Sequence, residues 1–181
     1  MTEVDLLDSY EQASAWTLGK VRGATERLDS GTPCDDWDVR NLLNHMLDTQ
    51  HYFTGAARGE DVAPPSPTPP ELLGEDAVQA FERSRTELLR SFGAPGVIEK
   101  TGPMLGIALA DQLLHGWDLA VATGQDATMP EGLPSTAYDM IHGRFTDEQR
   151  TGVFKPALTL PANASTQDQL LAYTGRQPAE S

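Results

Sequence analysis

The sequence is poor in cysteine: Cys34 is the only one among 181 residues. A single cysteine cannot form an intramolecular disulfide, which excludes the disulfide-stapled class of extracellular domain. The N-terminal segment, MTEVDLLDSY, is acidic and lacks the basic and apolar regions of a signal peptide. No apolar run approaches the ~18 residues of a membrane-spanning helix. We therefore expect a cytoplasmic protein that does not span a membrane.

Basic residues are also scarce. Lys and Arg number 13 against 27 Asp and Glu, which gives a formal net charge of −14. Because phosphate backbones and anionic lipids are bound by clustered Lys and Arg, this charge argues against nucleic acid and membrane surfaces as partners. An acidic surface mainly favours solubility.

Helical periodicity dominates what the sequence does contain. Four segments have the apolar spacing of amphipathic helices: residues 3–29, 38 to about 59, 75–92 and 104–122. Residues 60–74 hold five prolines, which predicts an extended crossover or a flap over one end of a bundle. Weaker helix signals occupy residues 131–142 and 165–173, where Ser165 and Asp168 are spaced as in a capping box.

We therefore predict an all-α fold. The four long segments favour an antiparallel four-helix bundle. The chain is short enough for one domain over residues 1–181, with a short irregular and helical C-terminal extension over about 126–181.

The fourth predicted helix contains the stretch ADQLLHGWDLA, residues 110–120. Asp111 and His115 are four apart, so their Cβ atoms lie about 6 Å apart on one face. The rest of this helix is mostly apolar, and polar groups in such a setting need a partner. One metal ion can bind both a carboxylate oxygen and an imidazole nitrogen. Asp118, one turn later, is instead predicted to hydrogen-bond a neighbouring loop or to orient a ligand.

The other histidines supply a candidate third ligand. His45 lies on the apolar stripe of the second helix, whereas His51 faces another direction at about 100° per residue and His142 lies in the tail. The best set is therefore His45 with Asp111 and His115. Catalytic zinc sites use three protein ligands and keep one position open. Two histidines and one carboxylate suit zinc, nickel or iron(II), and the sequence does not separate these.

Other interpretations of these residues stay open. Cys34 precedes the second helix by four residues of turn, so we leave it outside the ligand set although it could approach. An aspartate and a histidine four apart are common on helices that bind no metal. His45 taken alone is typical of a hydrogen-bonded core histidine. Three polar groups on otherwise apolar faces favour the metal site.

Two motifs resemble a known family. TPCDDWDVRNLLNHMLDTQHYFTGAARGE (32–60) and LLHGWDLAVATGQ (113–125) are similar to the signatures of mycothiol-dependent maleylpyruvate isomerase-like proteins, N-terminal domain type. These belong to the DinB-like superfamily of metal-binding four-helix bundles. The closing QDQLLAYTGRQP (167–178) resembles the end of a short metal-binding subgroup.

The resemblance implies a divalent metal, commonly zinc or nickel, held by His45, Asp111 and His115. The isomerase-type members have glutamate at the acidic position, so Asp111 is a departure. They also carry a second, C-terminal domain, for which residues 126–181 are too few. The resemblance therefore leaves the specific isomerase activity in doubt.

Three functions are compatible with the sequence. The first is a metal-dependent enzyme, a transferase or isomerase, that uses a low-molecular-weight thiol such as mycothiol as co-substrate; no catalytic residue besides the metal ligands stands out. The second is a metal-binding module without catalysis, for sequestration, sensing or partner binding. The third is a plain bundle in which the three residues bond to each other. Homodimerisation through a helix face is plausible, but no sequence feature demonstrates it.

Overall fold

The computed structural model describes residues 3–34, 37–146, 148 and 154–178. Asp35 and Asp36, in the first of the two motifs, lie outside the described residues. Regular structure in the described part is helical, apart from one isolated β-bridge between Gly31 and Asp38. Its seven helices are α1 (Glu3–Ala24), α2 (Val39–Arg58), α3 (Ala77–Phe92), α4 (Val97–Thr101), α5 (Met104–Thr123), α6 (Leu133–Ile141) and α7 (Thr166–Tyr173). The predicted all-α bundle is confirmed.

The two helices that carry the candidate site have clear end signals. Asp38 caps the start of α2, where its carboxylate accepts from the backbone N–H of Asn41 at 2.8 Å. α2 stops at Gly59 (φ 74°) and α5 stops at Gly124 (φ 69°). Both glycines take the left-handed conformation that ends many helices, so these ends agree with the sequence-based prediction.

α1 and α5 run side by side in the same direction. The Thr17 hydroxyl donates to the Gln112 carbonyl at 2.9 Å, and one turn later Lys20 Nζ donates to the Asp126 carbonyl at 2.6 Å. Since later residues of α1 meet later residues in and after α5, the two helices are parallel neighbours. α5 is thereby fixed along its length against the N-terminal helix.

α2 packs on the other side of α5 and runs in the opposite direction. Thr49 meets Asp111 at 3.1 Å, while the earlier His45 meets the later His115 with ring centroids 5.0 Å apart. This antiparallel contact brings the two sequence motifs together, although they lie far apart along the chain.

The Pro-rich segment is a crossover, one of the two arrangements that the sequence predicts. Arg58, at the end of α2, pairs with Glu87 near the end of α3 at 2.6 Å, so α2 and α3 share a direction. The chain must therefore return along the length of the bundle between them, through residues 59–76. The order of the four long helices is up, down, down, up.

The crossover is hydrogen-bonded to the outer side of α2. The Asn44 amide oxygen accepts from the backbone N–H groups of Leu72 and Leu73 at 2.6 and 3.1 Å. The Asp48 carboxylate accepts from the N–H of Ser66 at 2.9 Å. Two polar side chains of α2 thus satisfy amides that an extended segment leaves unpaired.

The bundle core consists of two apolar clusters with polar residues between them. One cluster centres on Tyr10, Phe53, Leu88, Leu109 and Leu113. The other centres on Val21, Leu42, Met46, Phe81 and Leu119. Buried polar side chains lie at the intermediate level of each long helix: Ser14, Thr17, Gln50, Ser84 and Gln112.

α1 ends at Ala24, earlier than predicted. The carbonyls of Leu28 and Ser30 accept from the backbone N–H groups of Arg40 and Val39, both at 2.9 Å. These amides belong to the first turn of α2 and have no partner within that helix. The segment after Ala24 therefore supports the start of α2 instead of extending α1.

The short helix α4 was not predicted. It lies between Gly96 (φ 73°) and Gly102 (φ 59°), and its five residues are too few to show helical periodicity.

The C-terminal extension contains both predicted short helices. Ser165 caps α7, where its hydroxyl accepts from the N–H of Asp168 at 3.1 Å. α6 packs against α5 and α7, and the N–H of Leu158 donates to the carbonyl of Ala172 at 2.9 Å. Among the helices described, none has both the length and the apolarity needed to cross a bilayer.

Candidate metal centre

The antiparallel contact of α2 with α5 brings together the three predicted ligands. The ligand atoms of His45, Asp111 and His115 all lie within 4.8 Å of one another. The His45 ring is edge-on to His115 and lies against Trp37, with ring centroids 4.6 Å apart. One aromatic wall thus comes from the residue just before the cap of α2.

Asp111 and His115 face each other along α5. His115 Nε2 is 3.5 Å from Asp111 Oδ1. The side chain of His115 is only 12% exposed and that of Asp111 only 15%. The Thr49 hydroxyl donates to the other carboxylate oxygen, Oδ2, at 3.1 Å. Thr49 therefore fixes the carboxylate so that Oδ1 faces the imidazole.

Among the described residues, His45 lacks a hydrogen bond at one nitrogen that a satisfied core histidine would make. Its Nδ1 is buried and has no hydrogen-bond partner within the described part of the chain. Burial, and next the charge of His115, lower the pKa of His45 to about 3, so the ring is neutral at physiological pH. A neutral imidazole is the form that binds metal ions. An unpartnered buried nitrogen beside a second histidine and a carboxylate fits a divalent transition metal.

In the metal-free protein His115 is protonated, and its positive charge lies beside the Asp111 carboxylate. Burial by itself would lower the pKa of His115, but the charge of Asp111 and the hydrogen bond with Asp118 outweigh it and raise the pKa to about 10. Burial also raises the pKa of Asp111, against the opposing effects of His115 and Thr49. Asp111 and His115 are therefore a buried carboxylate and a buried imidazole, and their electrostatics favour a positive charge between them.

Asp118 lies behind His115 and is completely buried. Its Oδ2 is 3.0 Å from His115 Nδ1. The Arg176 guanidinium donates to both carboxylate oxygens, from Nε to Oδ1 at 2.9 Å and from Nη2 to Oδ2 at 2.7 Å. Burial would raise the pKa of Asp118, but the Arg176 charge and the hydrogen bonds of both partners hold it well below its usual range. An ionised carboxylate only accepts, so Nδ1 carries a hydrogen whether or not His115 is charged, and Nε2, which faces Asp111, is the nitrogen that gains or loses the second proton.

Cys34 lies on the same side of His115 as Asp118. Its thiol donates to Asp118 Oδ2 at 3.2 Å, and Cys34, His115 and Asp118 form a second group of potential ligand atoms. Asp118 contacts Nδ1 of His115, whereas Asp111 faces Nε2. Cys34 is thus grouped with His115 and Asp118, and not with His45 and Asp111, in the described structure.

The sequence predicted the three side chains that face one another in the centre. It did not predict two residues that hold them in place, Thr49 and Arg176. Thr49 follows His45 by four residues, and that spacing on one helix face is the signal that could have found it. Arg176 has no such signal, because it follows the last helix. As predicted, His51 is exposed and takes no part; His142 is also exposed and stacks on Tyr138 at 4.8 Å.

Comparison with known proteins identifies a family and curated relatives. Residues 10–120 match the family model described as the mycothiol maleylpyruvate isomerase N-terminal domain. Two curated relatives, uncharacterised proteins of Mycobacterium tuberculosis strains H37Rv and CDC 1551, are each 26% identical over 180 residues, covering 92% of this chain and 93% of theirs. No solved structure matches the chain significantly.

Proposed function

Because this chain belongs to the mycothiol maleylpyruvate isomerase N-terminal domain family, we propose that it binds one divalent metal ion, zinc or nickel, through His45, Asp111 and His115. We further propose that it is an enzyme, a transferase or isomerase, which takes a low-molecular-weight thiol such as mycothiol as co-substrate. The observation that carries the proposal is the grouping of His45 with the other two donors, together with the buried Nδ1 of His45, which has no hydrogen-bond partner within the described structure.

The donor set favours a reactive centre over a purely structural one. Structural zinc sites are usually closed by four protein ligands, often cysteines, whereas catalytic sites have three and one open position. The Cys34 thiol donates to Asp118 and is not grouped with His45 and Asp111, so this proposal gives it no place in the ligand set. Bound at such a centre, the ion supplies a lowered pKa for an entering thiol or water, which makes it a nucleophile at neutral pH.

The surrounding residues have supporting roles in this proposal. Thr49 holds the Asp111 carboxylate by its Oδ2, and Asp118 orients the imidazole of His115 by its Nδ1. Trp37 packs against the His45 ring and limits its rotation. A thiol co-substrate also accords with the cytoplasm, where thiols stay reduced.

A mass-spectrometric assay tests the enzyme proposal. Protein purified without a histidine tag is loaded with zinc or nickel and incubated with mycothiol and a panel of electrophilic substrates. We expect a new product in which the thiol sulfur is bonded to the electrophilic carbon. With a substrate that carries a leaving group, that group departs with its bonding electrons and the thiol proton goes to solvent; with an activated double bond, the π bond breaks and the neighbouring carbon gains a proton. An isomer that forms only when thiol is present is the other expected product. His45→Ala should abolish it.

His51→Ala is the matched control, because His51 is an exposed histidine on the same helix. It should keep the activity of the unsubstituted protein. Formation of no adduct or isomer above the protein-free rate, with any metal, would contradict the enzyme proposal. Metal retention in the same samples would then favour a non-catalytic binding module.

A further inference from the structure

We propose that Arg176, in the C-terminal extension, is a positioning residue of the metal centre, which acts by holding Asp118 and through it the imidazole of His115. This inference rests on the proposed function, since it concerns how a ligand of the proposed metal is oriented. It extends the centre beyond the bundle, because Arg176 and Asp118 are 58 residues apart in the sequence.

The contact between Arg176 and Asp118 has the geometry of an orienting pair. Nε and Nη2 reach the two carboxylate oxygens separately, at 2.9 and 2.7 Å. A fork of two parallel hydrogen bonds fixes the plane of a carboxylate as well as its position. A lysine, with one ammonium group, cannot impose that plane in the same way.

Each of the three guanidinium nitrogens of Arg176 makes a hydrogen bond within the protein. Its remaining terminal nitrogen, Nη1, donates to the Thr174 hydroxyl at 3.2 Å, and its side chain is only 14% exposed. Three of its five N–H groups are thus used within the protein, and little of the side chain is open to a substrate anion. The geometry therefore favours a role through Asp118 over direct binding of substrate.

The plane of the Asp118 carboxylate decides which way His115 faces. Its Oδ2 accepts from His115 Nδ1, Cys34 Sγ and Arg176 Nη2, at 3.0, 3.2 and 2.7 Å. Without the fork, this buried carboxylate can rotate about its Cβ–Cγ bond, and the imidazole loses its fixed acceptor. An imidazole that turns over about its Cβ–Cγ bond places the carbon Cε1, instead of the ligand atom Nε2, opposite Asp111.

The backbone that carries Arg176 is held independently of its guanidinium. The Arg176 N–H donates to the Leu171 carbonyl at 2.9 Å, and the Gly175 N–H donates to the Ala172 carbonyl at 3.0 Å. Gly175 has φ 78° and passes close to the backbone of Lys155, where a Cβ would not fit. A side-chain substitution at Arg176 therefore removes the fork while the chain path stays anchored.

Zinc affinity measures this role without relying on activity. Zinc dissociation constants are determined by competition with a chromophoric chelator for tag-free unsubstituted protein, Arg176→Met, Arg176→Lys, Asp118→Asn and the Asp118→Asn/Arg176→Met double variant. Removal of groups that orient a metal ligand typically costs about 10- to 100-fold in affinity. We expect Arg176→Met to weaken zinc binding at least about 10-fold, and Arg176→Lys to recover part of that loss.

The double variant separates a role through Asp118 from a general effect on the fold. If Arg176 acts through Asp118, the double variant binds zinc as well as Asp118→Asn alone, because interacting sites are non-additive. It also lacks the unpaired buried carboxylate, so the comparison stands even where Arg176→Met fails to fold. Arg58→Met is the matched control, since it breaks an exposed arginine pair with Glu87. Its zinc affinity should equal that of the unsubstituted protein.

Two results overturn the inference while the proposed function stands: an affinity of Arg176→Met within about twofold of the unsubstituted protein, or additive losses in the double variant. Each of these two results counts against the inference when zinc binds the unsubstituted protein and is lost in His45→Ala. Absence of zinc binding by the unsubstituted protein is the separate outcome that removes the proposed function, and this role with it.

Discussion

Replacement of Gly116 by alanine should loosen the packing of α5 on α1 and destabilise the protein. A Cβ at this position would lie 2.5 Å from Cζ3 of Trp16 and 2.7 Å from the hydroxyl of Thr17. Thr17 is fully buried, and its hydroxyl is bonded to the Gln112 carbonyl. Neither a rigid indole nor a bonded β-branched side chain can move aside freely, so the helices must separate.

The expected magnitude follows from two opposing effects. Overpacking of a core site costs about 1 to 3 kcal/mol. Replacing a helical glycine by alanine returns about 0.5 to 1 kcal/mol. We therefore expect a net loss of up to about 2.5 kcal/mol, which lowers the Tm of a chain of this size by up to roughly 10 °C.

Two other helical glycines serve as controls for this substitution. Gly19, within α1, has nothing within 4 Å of its Cβ position, so Gly19→Ala should stabilise by about 0.5 to 1 kcal/mol. A Cβ at Gly106 would lie 2.8 to 2.9 Å from Cβ, Cγ and Sδ of Met140, an adaptable side chain on the short helix α6, so Gly106→Ala should cost less than Gly116→Ala. The free energies come from urea denaturation followed by circular dichroism. A stability of Gly116→Ala equal to or above that of Gly19→Ala would refute the close α1–α5 packing.

Three further outcomes are expected. In metal-free protein the pKa of His115 is raised from 6.5 to about 10. The stabilisation that its proton gives is therefore complete below pH 6.5 and is lost as the pH rises through about 10. The urea midpoint should fall over that range, and it should fall less in His115→Gln. Gln50 is fully buried with both amide atoms unpartnered in the described structure, so Gln50→Met should raise the unfolding free energy by about 1 kcal/mol, and a loss of that size would show that the amide is hydrogen-bonded. Asn44→Ala should cost about 1 to 3 kcal/mol and speed hydrogen exchange at the Leu72 and Leu73 amides, with unchanged zinc affinity; unchanged exchange would contradict the anchoring of the crossover.

Local signals made the main helices and the ligand set predictable. The Asp38 cap marks the start of α2, and Gly59 and Gly124 mark the ends of α2 and α5. Helical spacing places Asp111 and His115 on one face. The apolar stripe around His45 indicates that it turns inward. The structure brings these three side chains together, as expected, while metal binding itself stays a prediction.

Long-range features were not predictable, because they leave no local pattern. α1 ends early because the carbonyls of Leu28 and Ser30, which follow it, accept hydrogen bonds from the first turn of α2. The parallel pairing of α1 with α5 depends on contacts such as that of Thr17 with Gln112. Arg176 reaches Asp118 only after the chain has folded back through α6 and α7. Periodicity describes one helix at a time and cannot report such contacts.

Metal content, measured by elemental analysis on protein purified without a histidine tag, tests the central claim most directly. The account predicts about one zinc or nickel ion per chain. This metal should persist in His51→Ala and disappear in His45→Ala and His115→Ala. Metal-free unsubstituted protein that takes up no zinc or nickel when these are supplied, or metal content unchanged in His45→Ala and His115→Ala, would contradict the assignment of the centre.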